Sequence, residues 1–281
     1  MDIITKIYID DENSSSRSPS DVQSSAYLFR GALFGDGFFT TAVVRNSRII
    51  NKERHLSRLE VSSKRLKFSQ WSSKEIASSM DKIAIKYPDS ILRISCSRKQ
   101  KERGYAFSAN ATIECEIAVQ KLKEFPYETC HLKMAETPIS VNKMLAGIKH
   151  LNRLDNVMAS SECEAPNQEV LMCDDERVIC GSRSNLFVKL DGEWMTPIIS
   201  DCGINGVAQG LVIEKMDELG ISCKHKDIVK TDLKKMTASF VTNSIVGIWP
   251  AESFINLECD IYLKLDLDCV LQLKSQLELV L

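Results

Sequence analysis

Apolar residues in the first fifty positions mostly follow the two-residue period of strands, with turn residues between them. Residues 3–9, IITKIYI, predict a short strand, and the serine- and aspartate-rich residues 10–25 predict a loop. Residues 29–50 are apolar and β-branched but are interrupted by Gly35 and Gly37. This interruption predicts a strand, a tight turn and a second strand.

From Arg54 onward the apolar residues recur among basic ones with the period of a helix. A second helix is predicted over residues 73–86, with Ser72 or Ser73 as its cap. The apolar residues on which these two predictions rest are Leu56, Leu59, Val61, Leu66 and Phe68 in the first helix, and Ile76, Met80, Ile83 and Ile85 in the second.

The rest of the chain mixes strand and helix patterns. Residues 91–98 and 111–119 alternate between apolar and polar positions, which predicts two paired strands. Because strands and helices mix in both halves, the fold class is predicted to be α/β or α+β. The remaining predictions are helices over 150–165, 204–219 and from Asp260 onward, and strands within 169–174, 176–182, 185–197 and 240–248, with a hairpin turn at Asp191–Gly192.

Composition and charge exclude several classes of protein. The chain has 281 residues, 36 basic and 38 acidic, and a formal net charge of −2, so it lacks the basic field of a dedicated nucleic-acid binder. No apolar run approaches the roughly 18 residues that span a membrane, and no secretory signal is visible. The ten cysteines form no C-x-x-C pair, and the four histidines do not cluster beside them. We therefore expect a cytoplasmic protein with reduced thiols and no metal site.

Lys149, in AGIKHLN, is the first candidate for chemistry. It follows Ile148 at a predicted strand-to-helix junction. Burial of a lysine lowers the pKa of its amine and makes the amine nucleophilic towards carbonyl groups. A solvated surface lysine is the alternative interpretation.

Three further segments could bind an anion such as a phosphate. The amides of Asn205–Ala208 stand where a helix is predicted to begin, Thr242–Ser244 follows an apolar strand, and Arg58 could make a bidentate contact. Each has a simpler alternative: a helix cap, a turn and a solvated charge. The segment FGDG at 34–37 lacks the third glycine of a dinucleotide fingerprint, and its simpler interpretation is a hairpin turn.

The order of the motifs is more specific than any one of them. FGDGFFTT, HLSRL, RGY, GIKHLNRLDN, SNLF and TP…GINGV follow one another between about residues 28 and 250. This order resembles the fold-type IV enzymes that use pyridoxal 5'-phosphate, and within them most closely the 4-amino-4-deoxychorismate lyases. The D-amino-acid and branched-chain aminotransferases share the fold and several motifs, but KHLNRL is nearer to the lyase pattern.

The resemblance implies a two-domain architecture and a reaction. It implies a smaller N-terminal α/β domain over 1–121, a linker at 122–127 and a larger pseudo-barrel domain over 128–281, with the cofactor between the domains. It also implies a cytoplasmic homodimer that releases p-aminobenzoate and pyruvate for folate synthesis. An aminotransferase of the same fold and a non-catalytic cofactor-binding homologue are the alternatives.

The resemblance also assigns roles to single residues. Lys149 matches the lysine that binds the cofactor covalently and moves the proton. Matching positions that face the substrate are Thr40, Arg103 and Tyr105. Matching positions that bind the cofactor are Arg58, Asn152, Val207, Ala208, Asn243 and Ser244, together with Cys180 at the ring nitrogen.

Two residues depart from the family pattern. Cys180 stands five residues before Asn185, where the family has a glutamate whose carboxylate holds a proton on the pyridine nitrogen. A neutral thiol cannot stabilise a pyridinium in this way. Gln209 stands where the pattern has an arginine. Three outcomes follow for Cys180: a slow lyase, a lyase that uses another acid such as Asp201 or Glu162, or an inactive homologue.

Overall fold

The computed structural model describes residues 4–9, 28–100, 104–108 and 110–277. The chain divides into two compact units, which are taken one at a time below. The first comprises Met1–Lys123 and Lys149–Asn152, and the second comprises Glu124–Ile148 and Arg153–Leu281. The domain bounds 1–121 and 128–281 remain a prediction about folding units. The loop predicted over 10–25 lies outside the described residues.

The first unit is built on a six-stranded sheet. Its path is β1-β6-β5-β3-β4, with β2 also paired to β5; β1 is parallel to β6 and the other pairs are antiparallel. In chain order its elements are β1 (Ile4–Ile9), β2 (Leu28–Phe29), α1 (Arg30–Phe34), β3 (Gly37–Arg45), β4 (Arg48–Ile49), α2 (Lys52–Arg65), α3 (Ser73–Lys86), β5 (Ser90–Gln100) and β6 (Thr112–Lys121).

The prediction of a strand before Gly35 is wrong for most of that segment, because α1 forms one helical turn there. The cause is Arg30, whose buried guanidinium donates to the Asp36 carboxylate at 2.7 Å and to the carbonyls of Gly104 and Tyr105 at 2.8 and 2.9 Å. These polar contacts cannot be read from an apolar pattern.

Helices α2 and α3 lie where the periodicity predicts them. The Ser72 hydroxyl caps α3 by accepting from the Glu75 amide at 3.3 Å. Val61 and Ile85 are both exposed, so they are not part of the buried faces. Phe68 is buried beyond the end of α2, where its ring packs edge-on against Phe38.

The second unit contains a curled ten-stranded sheet with the path β12-β11-β10-β14-β15-β7-β8-β9-β13, and β16 paired to β15. Its elements are β7 (Cys130–Met134), α4 (Leu154–Ser161), β8 (Gln168–Asp174), β9 (Arg177–Gly181), β10 (Asn185–Leu190), β11 (Glu193–Pro197), α5 (Val207–Glu218), β12 (Cys223–Lys226), β13 (Ile228–Val229), β14 (Met236–Asn243), β15 (Gly247–Asn256), β16 (Ile261–Lys264) and α6 (Leu267–Leu277).

The hairpin turn predicted at Asp191–Gly192 is present, and both residues have the positive φ that such a turn needs (49° and 84°). The helix predicted over 150–165 is shorter, because α4 covers only Leu154–Ser161. The C-terminal segment forms β16 before α6 begins. Within the parts of the chain that the structure describes, no helix is both long and apolar enough to cross a membrane.

Candidate active site

The segment Lys149–Asn152 attaches to strand β3 in the first unit. The Phe39 amide donates to the Lys149 carbonyl at 2.9 Å, and the Leu151 amide donates to the Gly37 carbonyl at 3.0 Å. The Lys149 ammonium lies 4.7 Å from the centre of the Phe39 ring. The strand therefore fixes the backbone of Lys149, and the Phe39 ring gives its amine one aromatic neighbour.

Asn152 explains the first glycine of the FGDG motif. Gly35 has a φ of +63°, and a Cβ atom built on it would lie 2.0 Å from the Asn152 Oδ1. A side chain at position 35 would therefore displace Asn152. The motif thus serves to seat Asn152 three residues after Lys149, and it does not form a simple hairpin turn.

Thr40 and Arg58 are linked through a histidine that the site prediction omitted. The fully buried Thr40 hydroxyl lies 2.7 Å from the His55 Nδ1, and His55 and Arg58 lie on the same helix, α2. Burial, with the Arg58 charge as the second cause, lowers the pKa of His55 to about 3, so this ring is neutral near pH 7. Burial also lowers the pKa of Arg58 to about 10, which still leaves the guanidinium charged. HLSRL contained the signal, since His55 precedes Arg58 by three residues.

The structure does not bring Thr40 and Lys149 together. Successive side chains of a strand point to opposite faces, and Phe39, which contacts Lys149, precedes Thr40 on β3. Thr40 is fully buried on the other face, towards His55. The predicted substrate contact of Thr40 therefore finds no support in this placement.

His55 should make the stability of the protein depend on pH. An unfolded chain binds a proton at a histidine of pKa near 6.5, whereas folded His55 does not until about pH 3. The contribution of His55 to the free energy of unfolding is therefore fully present above pH 6.5. It is lost as the pH drops towards 3, by roughly 1.4 kcal/mol per pH unit. Urea unfolding of the His55→Asn variant between pH 7 and pH 4 should show a shallower slope. The exposed His225, changed to Asn, is the matched control, and equal slopes in all three proteins would contradict the assignment.

Tyr105 lies on the surface of the first unit. Its ring is exposed, packs 5.1 Å from the Phe34 ring and is held through its carbonyl by Arg30. Arg103 lies outside the described residues. The substrate contacts predicted for both residues remain predictions.

In the second unit, the predicted anion-binding segment lies at the start of α5. Gly206 precedes the helix, and a Cβ there would lie 2.0 Å from the Asn185 Oδ1. The Asn185 Nδ2 donates to the Ile204 carbonyl at 2.9 Å and so holds the entry to the helix. The first amides of a helix, here those of Val207 and Ala208, have no acceptor within the helix and attract anions.

Gln209, at the position of the family arginine, stabilises the same helix start. Its Oε1 accepts from the Gly206 amide at 3.3 Å and its Nε2 donates to the Thr196 hydroxyl at 3.0 Å. The residue is buried. The substitution therefore replaces a charge with a neutral cap.

The segment Thr242–Ser244 divides into different roles. Thr242 is opposite Asn185 in the pairing of β10 with β14, and its buried hydroxyl has no hydrogen-bond partner among the described residues. The Asn243 Oδ1 accepts from the amides of Ile245 and Val246, each at 2.9 Å, and so closes the turn before β15. Ser244 lies in that turn. Thr242, which belongs to the predicted anion-binding segment but has no role assigned from the resemblance, is the member with an unused donor beside Asn185.

Cys180 is buried on β9 in an apolar cluster that includes Ile139, Met172 and Ile179. The charge of Arg153 interacts with this thiol, and burial lowers the pKa of Arg153. A cation thus acts on Cys180, where the family pattern has an acid.

Both alternative acids already have partners in the second unit. The Glu162 carboxylate accepts from the amides of Glu136 and Thr137 at 2.7 and 2.9 Å. Asp201 pairs with Arg177 at 3.0 Å. Glu162 therefore holds the loop at Glu136–Thr137, and Asp201 forms an ion pair with Arg177. A role of either acid at the ring nitrogen stays a prediction.

A buried glutamate organises the connection between Cys180 and Asn185. Glu169, on β8, is fully buried and accepts from the Ser182 amide at 2.9 Å, the Ser182 hydroxyl at 2.6 Å and the Ser184 hydroxyl at 2.9 Å. Burial raises the pKa of Glu169. The same connection is tied to α4, since the Asn156 Nδ2 donates to the Ser182 carbonyl at 2.7 Å. No local sequence motif signals this network.

Comparisons with known proteins identify the family of the chain. The family described as Amino-transferase class IV matches residues 37–254. The aminodeoxychorismate lyase of Vibrio harveyi is 25% identical over 232 residues, 79% of this chain and 84% of that protein. A D-alanine aminotransferase of Listeria monocytogenes is 23% identical over 79% of each chain.

A solved structure is similar over most of the chain. The 4-amino-4-deoxychorismate lyase of Pseudomonas aeruginosa is 29% identical, covers 90% of this chain and 94% of its own, and superposes with a TM-score of 0.81. Its fold-type IV architecture is that of the two-domain α/β fold predicted from the sequence. With the family match over residues 37–254, this chain belongs to the class IV aminotransferase family.

Proposed function

We propose that this protein is a pyridoxal-phosphate-dependent lyase that converts 4-amino-4-deoxychorismate to p-aminobenzoate and pyruvate. The observation that carries the proposal is the similarity to the Pseudomonas lyase over nine-tenths of the chain. The Vibrio lyase supports it from sequence alone. The order of motifs, with KHLNRL around Lys149, points to the same activity.

The residues present fit most of the cofactor that the family uses. Within the second unit, a phosphate suits the first amides of α5 and the unused hydroxyl of Thr242. The family resemblance assigns Arg58 to the cofactor phosphate as well, and its guanidinium stays charged at neutral pH. The Lys149 amine suits the aldehyde. The cofactor, when bound, withdraws electrons from the carbon that bears the substrate amine. The mismatch is Cys180, which offers no carboxylate to the ring nitrogen.

The chain's own residues would then act on the cofactor and on the substrate. Lys149 would hold the cofactor and take a proton on its Nζ as general base. The Phe39 amide fixes the backbone of this lysine. Asn152 would contact the edge of the ring from its seat beside Gly35. Asn243 and Ser244 would contribute to the phosphate site through the turn that Asn243 closes, and Arg103 and Tyr105 would face the substrate.

The test measures p-aminobenzoate and pyruvate released from aminodeoxychorismate by the purified protein loaded with pyridoxal phosphate. A second arm supplies D-alanine and 2-oxoglutarate and measures pyruvate and glutamate. Release in the first arm alone is expected for the lyase. Release in the second arm alone would establish an aminotransferase, as in the Listeria relative. A third arm supplies L-leucine in place of D-alanine, and no turnover in any arm would favour a non-catalytic homologue.

Substitutions of Cys180 test whether a carboxylate beside the ring nitrogen of the cofactor would speed the reaction. The Cys180→Glu variant should release p-aminobenzoate several-fold faster, because a carboxylate would stabilise a protonated ring nitrogen and Arg153 would keep that carboxylate ionised. Cys180→Ser, which is neutral and similar in size, is the control and should stay within about twofold of the original rate. An unchanged or lower rate in the glutamate variant would show that the thiol is not limiting.

We also propose that the protein is a homodimer. One face of α4 carries Leu154, Val157 and Met158 at spacings of three and four residues, and all three are more than half exposed. Val141 and Met144, on the loop that Asp155 holds through the Ser140 amide, extend this apolar strip. An apolar strip of this kind typically marks an interface, and a second copy of the chain is the occupant that the family resemblance implies.

The dimer is tested by light scattering after size-exclusion chromatography. The wild-type chain of 31.6 kDa should elute at twice its mass, and Val157→Asp should shift it towards the monomer. Ile85→Asp, which places the same charge on an exposed residue of α3, is the control and should leave the mass unchanged. A monomeric wild type would overturn the dimer.

A further inference from the structure

Two cysteines in the centre of the first sheet face one another across neighbouring strands. Cys96 on β5 is directly opposite Cys115 on β6 in the antiparallel register, and both are fully buried. Their sulfur atoms lie 2.7 Å apart. This separation exceeds a disulfide bond of about 2.05 Å by only about 0.7 Å.

The backbone already has the geometry that a disulfide requires. Opposed residues in an antiparallel pair have Cα atoms about 4.5–5.5 Å apart. Disulfides form at Cα separations of about 4.4–6.8 Å. The two sulfur atoms can therefore bond by small rotations of the side chains, with no movement of either strand.

We propose that Cys96 and Cys115 form a redox site. The pair is two thiols in the absence of an oxidant, and a peroxide oxidises it to a disulfide that links β5 to β6. In the first step one sulfur attacks a peroxide oxygen, the O–O bond breaks, and hydrogen peroxide yields a sulfenic acid and water. In the second step the other sulfur attacks that sulfenic sulfur, the S–S bond forms and a second water leaves. Two thiols and one hydrogen peroxide thus give one disulfide and two waters.

The burial of the pair determines how the reaction proceeds. The attacking species is the thiolate, and burial raises the pKa of the Cys96 thiol well above its usual value. Oxidation therefore requires a transient opening of the sheet. Once one sulfur is oxidised, the neighbouring sulfur at 2.7 Å captures it before a second peroxide can reach it.

The position of the link gives it a structural consequence. Cys96 is also opposite Phe38 on β3, and Phe38 forms a bridge with His150, the residue after Lys149. The disulfide would close the loop between positions 96 and 115 within the sheet that anchors the Lys149 segment. Such closure restricts the unfolded chain and stabilises the folded one.

The experiment exposes the full-length protein, loaded with its cofactor, to hydrogen peroxide, alkylates the remaining thiols and digests the protein without reductant. We expect mass spectrometry to find a peptide pair that joins Cys96 to Cys115, lighter than the two thiol peptides by two hydrogens. The thermal midpoint should rise by about 5 °C and return when a phosphine reductant is added.

Three variants complete the test. Cys96→Ala and Cys115→Ala should each lose both the linked peptide and the rise in midpoint, whereas Cys130→Ala, which removes another fully buried thiol, should keep them. Circular dichroism verifies that each variant is folded. If either alanine variant is unfolded, the presence or absence of the Cys96–Cys115 peptide pair in the oxidised wild-type protein decides whether the proposal holds. Free thiols at 96 and 115 after the other cysteines are oxidised, or a link of either to a different cysteine, would overturn the proposal.

Discussion

Replacing Lys149 with alanine should reduce the release of p-aminobenzoate by on the order of 10³-fold or more. The substitution removes the amine that would hold the cofactor and the base that would move the proton, and general-base catalysis alone contributes roughly 10²–10⁴-fold. The backbone of the segment is kept, because the carbonyl at position 149 would still accept from the Phe39 amide. The visible absorbance of the cofactor linked to the protein should vanish with the rate.

The matched control for this variant is Lys143→Ala. Lys143 is an exposed lysine six residues earlier, and its ammonium lies 3.7 Å from the Asp201 carboxylate. It should keep both the absorbance and the rate. If Lys149→Ala keeps the absorbance and the rate, then the cofactor is held by another lysine and the assignment fails.

The helices and most strands were predictable because their causes are local. Ser72 and the apolar residues of α3 lie within fifteen positions, and the turn at Asp191–Gly192 needs only two residues with positive φ. The same locality made the Lys149 motif recognisable. GIKHLNRL holds the lysine, Asn152 and Arg153 in one continuous stretch.

The relations between distant positions were not predictable. The buried Arg30 bonds to carbonyls more than seventy residues away, which turned a predicted strand into α1. The pair of Thr40 with His55 and the contact of Cys96 with Cys115 depend on strand register and helix packing. A one-residue change in register would separate each of these pairs, and hydrophobic periodicity does not determine register to that precision.

The role of Glu169 also depends on residues that are distant in sequence. From sequence it is a single acidic residue at the start of an apolar strand. In the structure its carboxylate accepts three hydrogen bonds from Ser182 and Ser184, and the Arg183 Nε lies 3.5 Å from the carboxylate. Gly181 permits the approach, since a Cβ there would lie 2.2 Å from the Ser184 hydroxyl and 2.9 Å from the Glu169 carboxyl carbon.

The Glu169→Ala variant should therefore lose about 3 kcal/mol of its free energy of unfolding. The substitution leaves a cavity and removes the acceptor of two buried hydroxyls, those of Ser182 and Ser184, each of which costs on the order of 1 kcal/mol or more when unpaired. The Ser182 amide keeps the Val170 carbonyl as an acceptor at 3.0 Å. Glu169→Gln keeps the size and one oxygen acceptor, so it should lose only about 1 kcal/mol. Urea denaturation at neutral pH measures both values.

The same variant should weaken cofactor binding, because the serines that Glu169 holds lie between Cys180 and Asn185, and Asn185 positions the start of α5. Titration of the apoprotein with pyridoxal phosphate, at a temperature where all variants are folded, should give a higher dissociation constant for Glu169→Ala than for Glu169→Gln. The control is Glu164→Ala, which removes an exposed carboxylate paired with Lys133 and should change neither quantity measurably. Equal stabilities of the alanine and glutamine variants would show that the three hydrogen bonds do not hold the connection. Weaker binding without lower stability would instead place Glu169 in direct contact with the cofactor.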